Sequence, residues 1–200
     1  IETNDWKARG SADISAMELG GKTMGLVGLG GTGIEVAKRA QGFDMRVIAI
    51  DPEDVAKPPY VAELWKPDRF YDLLAQSDVV VICCPLTKKT AGMFNLEAFR
   101  RMKRGSILIN VTRGPIVDEA ALMQALKEKL IAAAGLDVLP QEPLPPDHPL
   151  WMMPNVIVTP HSAGRSPLRM DRTVDLFAEN LRRFLAGKPM LSVIDKSKEY

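Results

Sequence analysis

Met24-Gly25-Leu26-Val27-Gly28-Leu29-Gly30-Gly31-Thr32-Gly33-Ile34 decides the fold. The apolar run Met24 to Val27 reads as a strand. It meets a glycine turn spaced G-x-G-x-x-G, and the turn opens a helical pattern over Gly31 to Gln41. Gly28 permits the tight turn. Gly30 lets the backbone approach a pyrophosphate with no Cβ in the way, and Gly33 lets the helix pack close to the strand. The helix start offers unsatisfied N–H groups and a partial positive charge to phosphates, and the Thr32 hydroxyl adds a donor. The next apolar run, Arg46 to Ile50, ends at Asp51, 18 residues past Gly33. A carboxylate there accepts hydrogen bonds from the adenosine ribose hydroxyls and repels a 2′-phosphate, so the pattern favours NAD over NADP. Arg46 and Lys57 are the nearby cations able to tolerate such a phosphate.

The same alternation continues outward. Val79 to Cys83, Ile107 to Val111, Ala132 to Val138 and Val156 to Thr159 read as further strands, with a weaker one near Tyr60 to Leu64. Most are continuously apolar, as strands covered on both faces of a parallel sheet are. Helices are expected over Asp68 to Ala75, Leu96 to Met102, Asp118 to Lys129 and Pro167 to Leu185. In the last, Met170, Val174, Phe177, Leu181, Phe184 and Leu185 recur at helical spacing and read as a core-facing stripe. Repeated strand–helix–strand order predicts an α/β fold, a doubly wound parallel sheet with right-handed crossovers. Between two strands lies Leu139 to Pro154, which holds six of the fifteen prolines; such a long irregular segment is more often functional than idle.

Composition narrows the function classes. The 200 residues carry 26 Lys plus Arg against 25 Asp plus Glu, so a net charge of +1 supplies no basic field for nucleic acid or an anionic membrane. No apolar run approaches the length of a membrane span. The only cysteines, Cys83 and Cys84, are adjacent in an apolar run and form no cross-linking framework, which fits a reducing, cytoplasmic setting. No spacing of metal ligands is present.

Three polar residues follow three expected strands of one sheet: Arg113 after Ile107 to Val111, Glu142 after Ala132 to Val138, and His161 after Val156 to Thr159. Ligands of such sheets bind outside the carboxyl ends of the strands. The three chemistries fit reduction of a 2-keto acid. Arg holds a carboxylate with a planar fork. His donates a proton near neutral pH, and a carboxylate beside it favours the protonated form and fixes the ring. His148, in Pro145-Pro146-Asp147-His148-Pro149, reads as structural.

These residues together give the chain its resemblance. The glycine turn with Asp51, Cys84-Pro85-Leu86-Thr87, Asn110 to Gly114 with Val117-Asp118-Glu119, Gly135 to Pro143, and Pro154-Asn155-Val156 through Gly164 resemble the D-isomer-specific 2-hydroxyacid dehydrogenases. The match spans about residues 20 to 187. It implies a Rossmann-type domain over residues 1–187 that binds NAD. It implies His161 as acid/base, Glu142 as its partner, Arg113 as substrate clamp, Asp137 against the nicotinamide carboxamide and Pro85 lining the nicotinamide side. Formate dehydrogenases of this superfamily carry Gln where this chain has Glu142, so a small 2-keto acid or D-2-hydroxy acid is the implied substrate.

The branch is either glyoxylate/hydroxypyruvate reductase-like or phosphoglycerate dehydrogenase-like. An NAD(H)-sensing corepressor on the same fold is the alternative. Family members carry a further segment ahead of the equivalent of Trp6 that builds most of a substrate domain, so that domain is expected to be largely missing here. Residues 188–200 are expected to return to it, and the chain alone is expected to bind NADH without appreciable turnover. A homodimer is implied, with Ile1 to Leu19 and the loops near Leu139 to Pro154 as contacts.

Overall fold

The computed structural model describes residues 17–199, so most of the Ile1 to Leu19 contact segment lies outside the described residues. Seven strands form one parallel sheet: β1 Thr23–Val27, β2 Arg46–Ile50, β3 Glu63–Trp65, β4 Val79–Ile82, β5 Ile107–Asn110, β6 Ala133–Leu136 and β7 Val156–Val158. Their order is β3-β2-β1-β4-β5-β6-β7. The helices are α1 Gly31–Ala40, α2 Phe70–Gln76, α3 Leu96–Arg101, α4 Glu119–Lys127 and α5 Arg169–Leu185. The chain winds outward from β1 in one direction through β2 and β3, then in the other from β4 to β7. The reversal between β1 and β4 leaves a crevice at the strands' carboxyl ends.

The strand sequences explain why both faces are covered. Val27, Ile48, Ile50, Val80 and Ile82 point into one core, with Leu73 and Leu74 of α2 and Phe99 of α3. Their neighbours Leu26, Val47, Ala49, Val79 and Val81 point into the other, with Ala37 and Ala40 of α1. Alternation along each strand thus feeds two apolar layers, and a run with no polar residue is the result.

The backbone ladder runs past the strand ends. Gly28 N donates to Ile50 O, Cys83 N to Val27 O, Asp137 N to Asn110 O and Thr159 N to Leu136 O, at 2.8–3.0 Å. The residues after the strands therefore leave the sheet along one edge. From β2 to β7 that edge crosses five strand spacings, about 24 Å.

Two elements depart from the sequence reading. The weak strand expected over Tyr60 to Leu64 is displaced to Glu63–Trp65, because Val61 N turns back to Pro58 O and pairing with β2 begins only afterwards, with Ala62 N on Val47 O. The stripe of α5 is amphipathic as expected but is not core. None of its residues is buried, and Met170 and Phe177 are about 70% and 69% exposed. α5 follows the last strand of the sheet, so among the described residues no further strand brings it back across a face. The tail beyond it is tied at Asn180, whose side chain bonds both N and O of Leu191. It continues to Lys198, 2.8 Å from Glu53, and Glu199, which accepts from Lys88 N. Among the described residues no helix is long and apolar enough to cross a membrane.

Candidate active site

The glycine turn shows why its residues are small. Gly28 has φ +102°, and a Cβ on it would lie 2.8 Å from Cys84 N, backbone against backbone. A Cβ on Gly33 would sit 2.3 Å from Gly28 O, so only glycine lets α1 start this close to β1. A Cβ on Gly30 would meet nothing within 4 Å, and Gly30 and Thr32 are exposed at the crevice. α1 starts with no side-chain cap and no acidic residue in its first turn, whereas Asn95 caps α3 and Asp118 caps α4. The positive end of the α1 dipole is thus left open toward the crevice.

Asp51 closes this half of the site. It is 8% exposed; Oδ2 accepts from Leu29 N at 2.7 Å and Oδ1 from Glu53 N at 2.9 Å. The carboxylate therefore also ties the glycine turn to the end of β2, a bond that its spacing in sequence does not reveal. Of the two cations near it in sequence, Arg46 starts β2 at the opposite end of the strand and pairs with Glu63. Lys57 is engaged by Val61 O at 2.7 Å. On the other side of the turn, Pro85 is exposed and its carbonyl accepts from Thr90 Oγ1 at 2.7 Å. Burial pushes the thiol pKa of Cys83 up to about 12 and that of Cys84 up to about 11, so both are un-ionised core thiols rather than nucleophiles.

The second half lies along β5, β6 and β7. Asn110, buried at the end of β5, shapes the Arg113 turn: Nδ2 donates to Arg113 O at 3.0 Å and Oδ1 accepts from Thr112 N at 3.1 Å. The Arg113 guanidinium is exposed, donates to Thr112 O, and has no carboxylate partner among the described residues. Its neighbour Gly114 lies flush on the next loop, where a Cβ would come 1.9 Å from the Leu139 carbonyl carbon.

Glu142 and His161 meet although 19 residues apart: His161 Nδ1 is 2.7 Å from Glu142 Oε2. The other oxygen, Oε1, accepts from Leu139 N at 2.9 Å. The hydrogen bond from His161, helped by that from Leu139, holds the Glu142 carboxyl below its ordinary value. With Nδ1–H committed to the carboxylate, Nε2 is the nitrogen left to act.

Asp137 sets the conformation of the His161 turn. His161 has φ +48°, a left-handed backbone that a non-glycine residue adopts only when its surroundings impose it. Asp137 O accepts from His161 N, and its carboxylate accepts from Thr159 Oγ1 at 2.6 Å, Ser162 N at 2.8 Å and Ala163 N at 2.8 Å. Burial raises the Asp137 carboxyl pKa, but the bonds from Thr159, Ala163 and Ser162 outweigh it, and the net shift is downward. The sequence reading gave no role to Thr159, Ser162 or Asn110. A hydroxyl or amide at the end of an apolar strand is the signal that points to them.

A downward shift means that the ionised Asp137 stabilises the fold above its unfolded value near 3.8, and that this contribution is lost as pH falls through the lower folded value. Asp137→Asn leaves the Ala163 or Ser162 N–H facing an amide NH2. It should cost about 1–3 kcal/mol at pH 7. It should also flatten the fall in Tm as pH drops below about 5, measurable by calorimetry. A variant whose Tm falls as steeply as the wild type's would show that Asp137 is not the group lost to acid.

These groups form an open edge rather than a closed pocket. A cleft of about 570 Å³ lies elsewhere, at the start of β6 and β7 between Leu126, Ile131, Met152 and Pro154, away from the strand ends that carry the site.

Comparison with known proteins shows the family and the fold. Residues 1–163 match the model of the D-isomer specific 2-hydroxyacid dehydrogenase, NAD binding domain. A glyoxylate reductase of Thermofilum pendens is 42% identical over 98% of this chain and 58% of its own length. Among solved structures, the NADPH-dependent glyoxylate/hydroxypyruvate reductase of Sinorhizobium meliloti, in complex with NADP and sulfate, superposes with a TM-score of 0.88 at 31% identity, covering 97% of this chain and 62% of that one. The D-lactate dehydrogenase of Lactobacillus jensenii, with NAD+, gives 0.78 at 32% identity over 94% and 61%. The chain spans about half the length of the curated relatives it matches, 50–58% for the first three. With its parallel sheet, glycine turn and strand-end residues, this chain belongs to the D-isomer specific 2-hydroxyacid dehydrogenase family, as its dinucleotide-binding domain.

Proposed function

We propose that this chain provides the cofactor half and the acid/base group of an NAD-dependent D-2-hydroxyacid dehydrogenase that interconverts small 2-keto and D-2-hydroxy acids. The observation that carries the reading is the 2.7 Å pair of His161 and Glu142 on the same sheet edge as the glycine turn. The residues fit a dinucleotide: open space over Gly30, an uncapped helix start and a buried carboxylate beside the turn. Gly28, Gly30, Thr32 and Gly33 hold the pyrophosphate, Asp51 the adenosine ribose, and Pro85 and Asp137 flank the nicotinamide. The bound nicotinamide supplies the hydride.

The chain's own residues do the rest. Arg113 binds the substrate carboxylate with its fork and orients the carbonyl. His161 Nε2 gives its proton to the carbonyl oxygen during reduction and takes it back during oxidation. Glu142 accepts the Nδ1–H bond and stabilises the imidazolium. Relatives named glyoxylate reductase and glycerate dehydrogenase favour glyoxylate and hydroxypyruvate as the acids to try first. We also assign the protein to a reducing compartment, the cytoplasm, on its two adjacent free cysteines, which form no cross-linking framework, and to a homodimer on the family resemblance.

Turnover of a panel of 2-keto acids by the whole protein, with NADH titration of residues 1–200 by calorimetry, tests the assignment. NADH binding without turnover of any keto acid would instead favour a nucleotide-sensing module. Cofactor choice gives a sharper prediction. With Asp51 beside the turn, Arg46 at the far end of β2 and Lys57 engaged, NADH should bind at least about tenfold more tightly than NADPH, roughly 1.4 kcal/mol. Asp51→Ala should narrow that ratio. Tighter binding of NADPH by the native chain would overturn the role given to Asp51.

A further inference from the structure

The loop after β5 carries Arg113 and the loop after β6 carries Glu142. Each alone is an irregular segment, yet the chemistry needs them fixed relative to one another. They are joined at two points. One is the backbone contact of Gly114 with Leu139 and Pro140, where a Cβ on the glycine would lie 1.9 Å from one and 2.4 Å from the other. The second is a side-chain pair. His148 Nε2 is 3.1 Å from Glu119 Oε1, and the two side chains are only 17% and 25% exposed.

The tautomer of His148 follows from its second contact. Leu150 N donates to His148 Nδ1 at 3.3 Å, so Nδ1 carries no proton. The ring hydrogen is then on Nε2 and is donated to Glu119. Glu119 is the first residue of α4, directly after the cap Asp118 and five residues after Gly114. On the other side, His148 precedes the short 3-10 turn Pro149–Met152, whose Leu150 is buried in the main core. Within the loop, Trp151 Nε1 donates to Pro145 O at 2.8 Å, and Leu144, two residues past Glu142, packs on the same core as Leu150. The pair sets where this segment sits against α4.

We propose that Glu119 and His148 are positioning residues of the acid/base site: their hydrogen bond locks the proline-rich loop to α4 and so sets Glu142 against His161 and both against Arg113. The inference rests on the reductase reading above. Neither residue touches a reacting atom. Their effect is geometric, and misplacement of a catalytic group by an ångström or less is enough to be felt in rate.

Two substitutions separate this role from simple capping of the 3-10 turn. In His148→Asn the amide oxygen replaces Nδ1 and still accepts from Leu150, but nothing reaches Glu119. In His148→Gln the amide nitrogen replaces Nε2 and still donates to Glu119, but the cap is lost. The proposal expects His148→Asn to lower kcat for keto-acid reduction by the whole protein about tenfold with KM for NADH unchanged. His148→Gln should rescue most of the rate. Glu119→Ala should match His148→Asn, and the double variant should lose no more than either alone.

A second readout does not depend on turnover. In residues 1–200, a carbon-13 NMR titration of the Glu142 carboxyl should show its depressed pKa returning toward the ordinary value in His148→Asn and staying low in His148→Gln. The reverse pattern, with the Asn variant like wild type and the Gln variant impaired, would mean that His148 only caps the turn, and would overturn the proposal; so would a Glu142 titration indifferent to both. A wild-type protein that reduces no 2-keto acid removes the reductase reading alone, and the titration still decides the coupling.

Discussion

His161→Ala should lower kcat for 2-keto acid reduction by the whole protein about a hundredfold or more, the usual scale of a general acid. NADH affinity should stay near wild type, because the glycine turn and Asp51 lie on β1 and β2, away from β7. The substitution removes the Nε2 proton donor and also frees Glu142, whose carboxyl His161 holds below its ordinary value. The carboxyl should then titrate higher, nearer that value. Glu142→Gln is the informative companion: the amide oxygen can still accept from Nδ1–H, but the charge that favours the imidazolium is gone. Its kcat should fall less than that of His161→Ala, because the ring keeps its acceptor and its orientation but loses the charge beside it. Stopped-flow reduction at pH 7 measures both. A His161→Ala protein within a few-fold of wild type would place the proton donor elsewhere, and a Glu142→Gln protein at the wild-type rate would remove the pair from the mechanism.

The second large effect is on stability. Gly114→Ala should destabilise residues 1–200 by about 3 kcal/mol or more, at the upper end of overpacking costs. The added methyl would meet backbone, at 1.9 Å from the Leu139 carbonyl carbon and 2.1 Å from its oxygen, and backbone cannot swing aside as a side-chain end can. Relief requires the loops carrying Arg113 and Glu142 to move apart. The same variant of the whole protein should therefore lose reductase rate out of proportion to any loss of NADH binding. Gly164→Ala is the control, since a Cβ there meets nothing within 4 Å. Urea unfolding followed by far-UV circular dichroism gives both numbers. Equal midpoints for the two variants would show that the loop contact at Gly114 is looser than the geometry says.

The parts of this protein that were legible in advance are those written locally. The turn from Gly28 to Gly33 constrains a few consecutive residues, and its steric logic needs no knowledge of the rest of the chain. The strands were legible because a run such as Val79 to Ile82, with no polar residue, can lie only between two apolar layers. Arg113, Glu142 and His161 could be singled out because each follows such a run, where the sheet edge must lie; Asp137, inside the expected strand Ala132 to Val138, was marked only by the family resemblance. The end of β3 and the fate of α5 were not legible. The apolar stripe on α5 reports a face that needs covering, but periodicity carries no information about whether a partner is within reach.

By itself, then, the sequence determined the doubly wound sheet, the dinucleotide turn and the identity of the strand-end groups, because each depends on spacings of a few residues along one backbone. Only the tertiary structure decided which of those groups meet. It brought Glu142 to Nδ1 of His161 across 19 residues, turned Asp137 to hold the left-handed His161 turn, tied Asp51 to Leu29 N, and joined Glu119 to His148 across 29. The reason is physical: a hydrogen bond needs its partners within about 3 Å and aligned. That condition is set by how separate loops pack on the sheet, not by the order of residues within either loop.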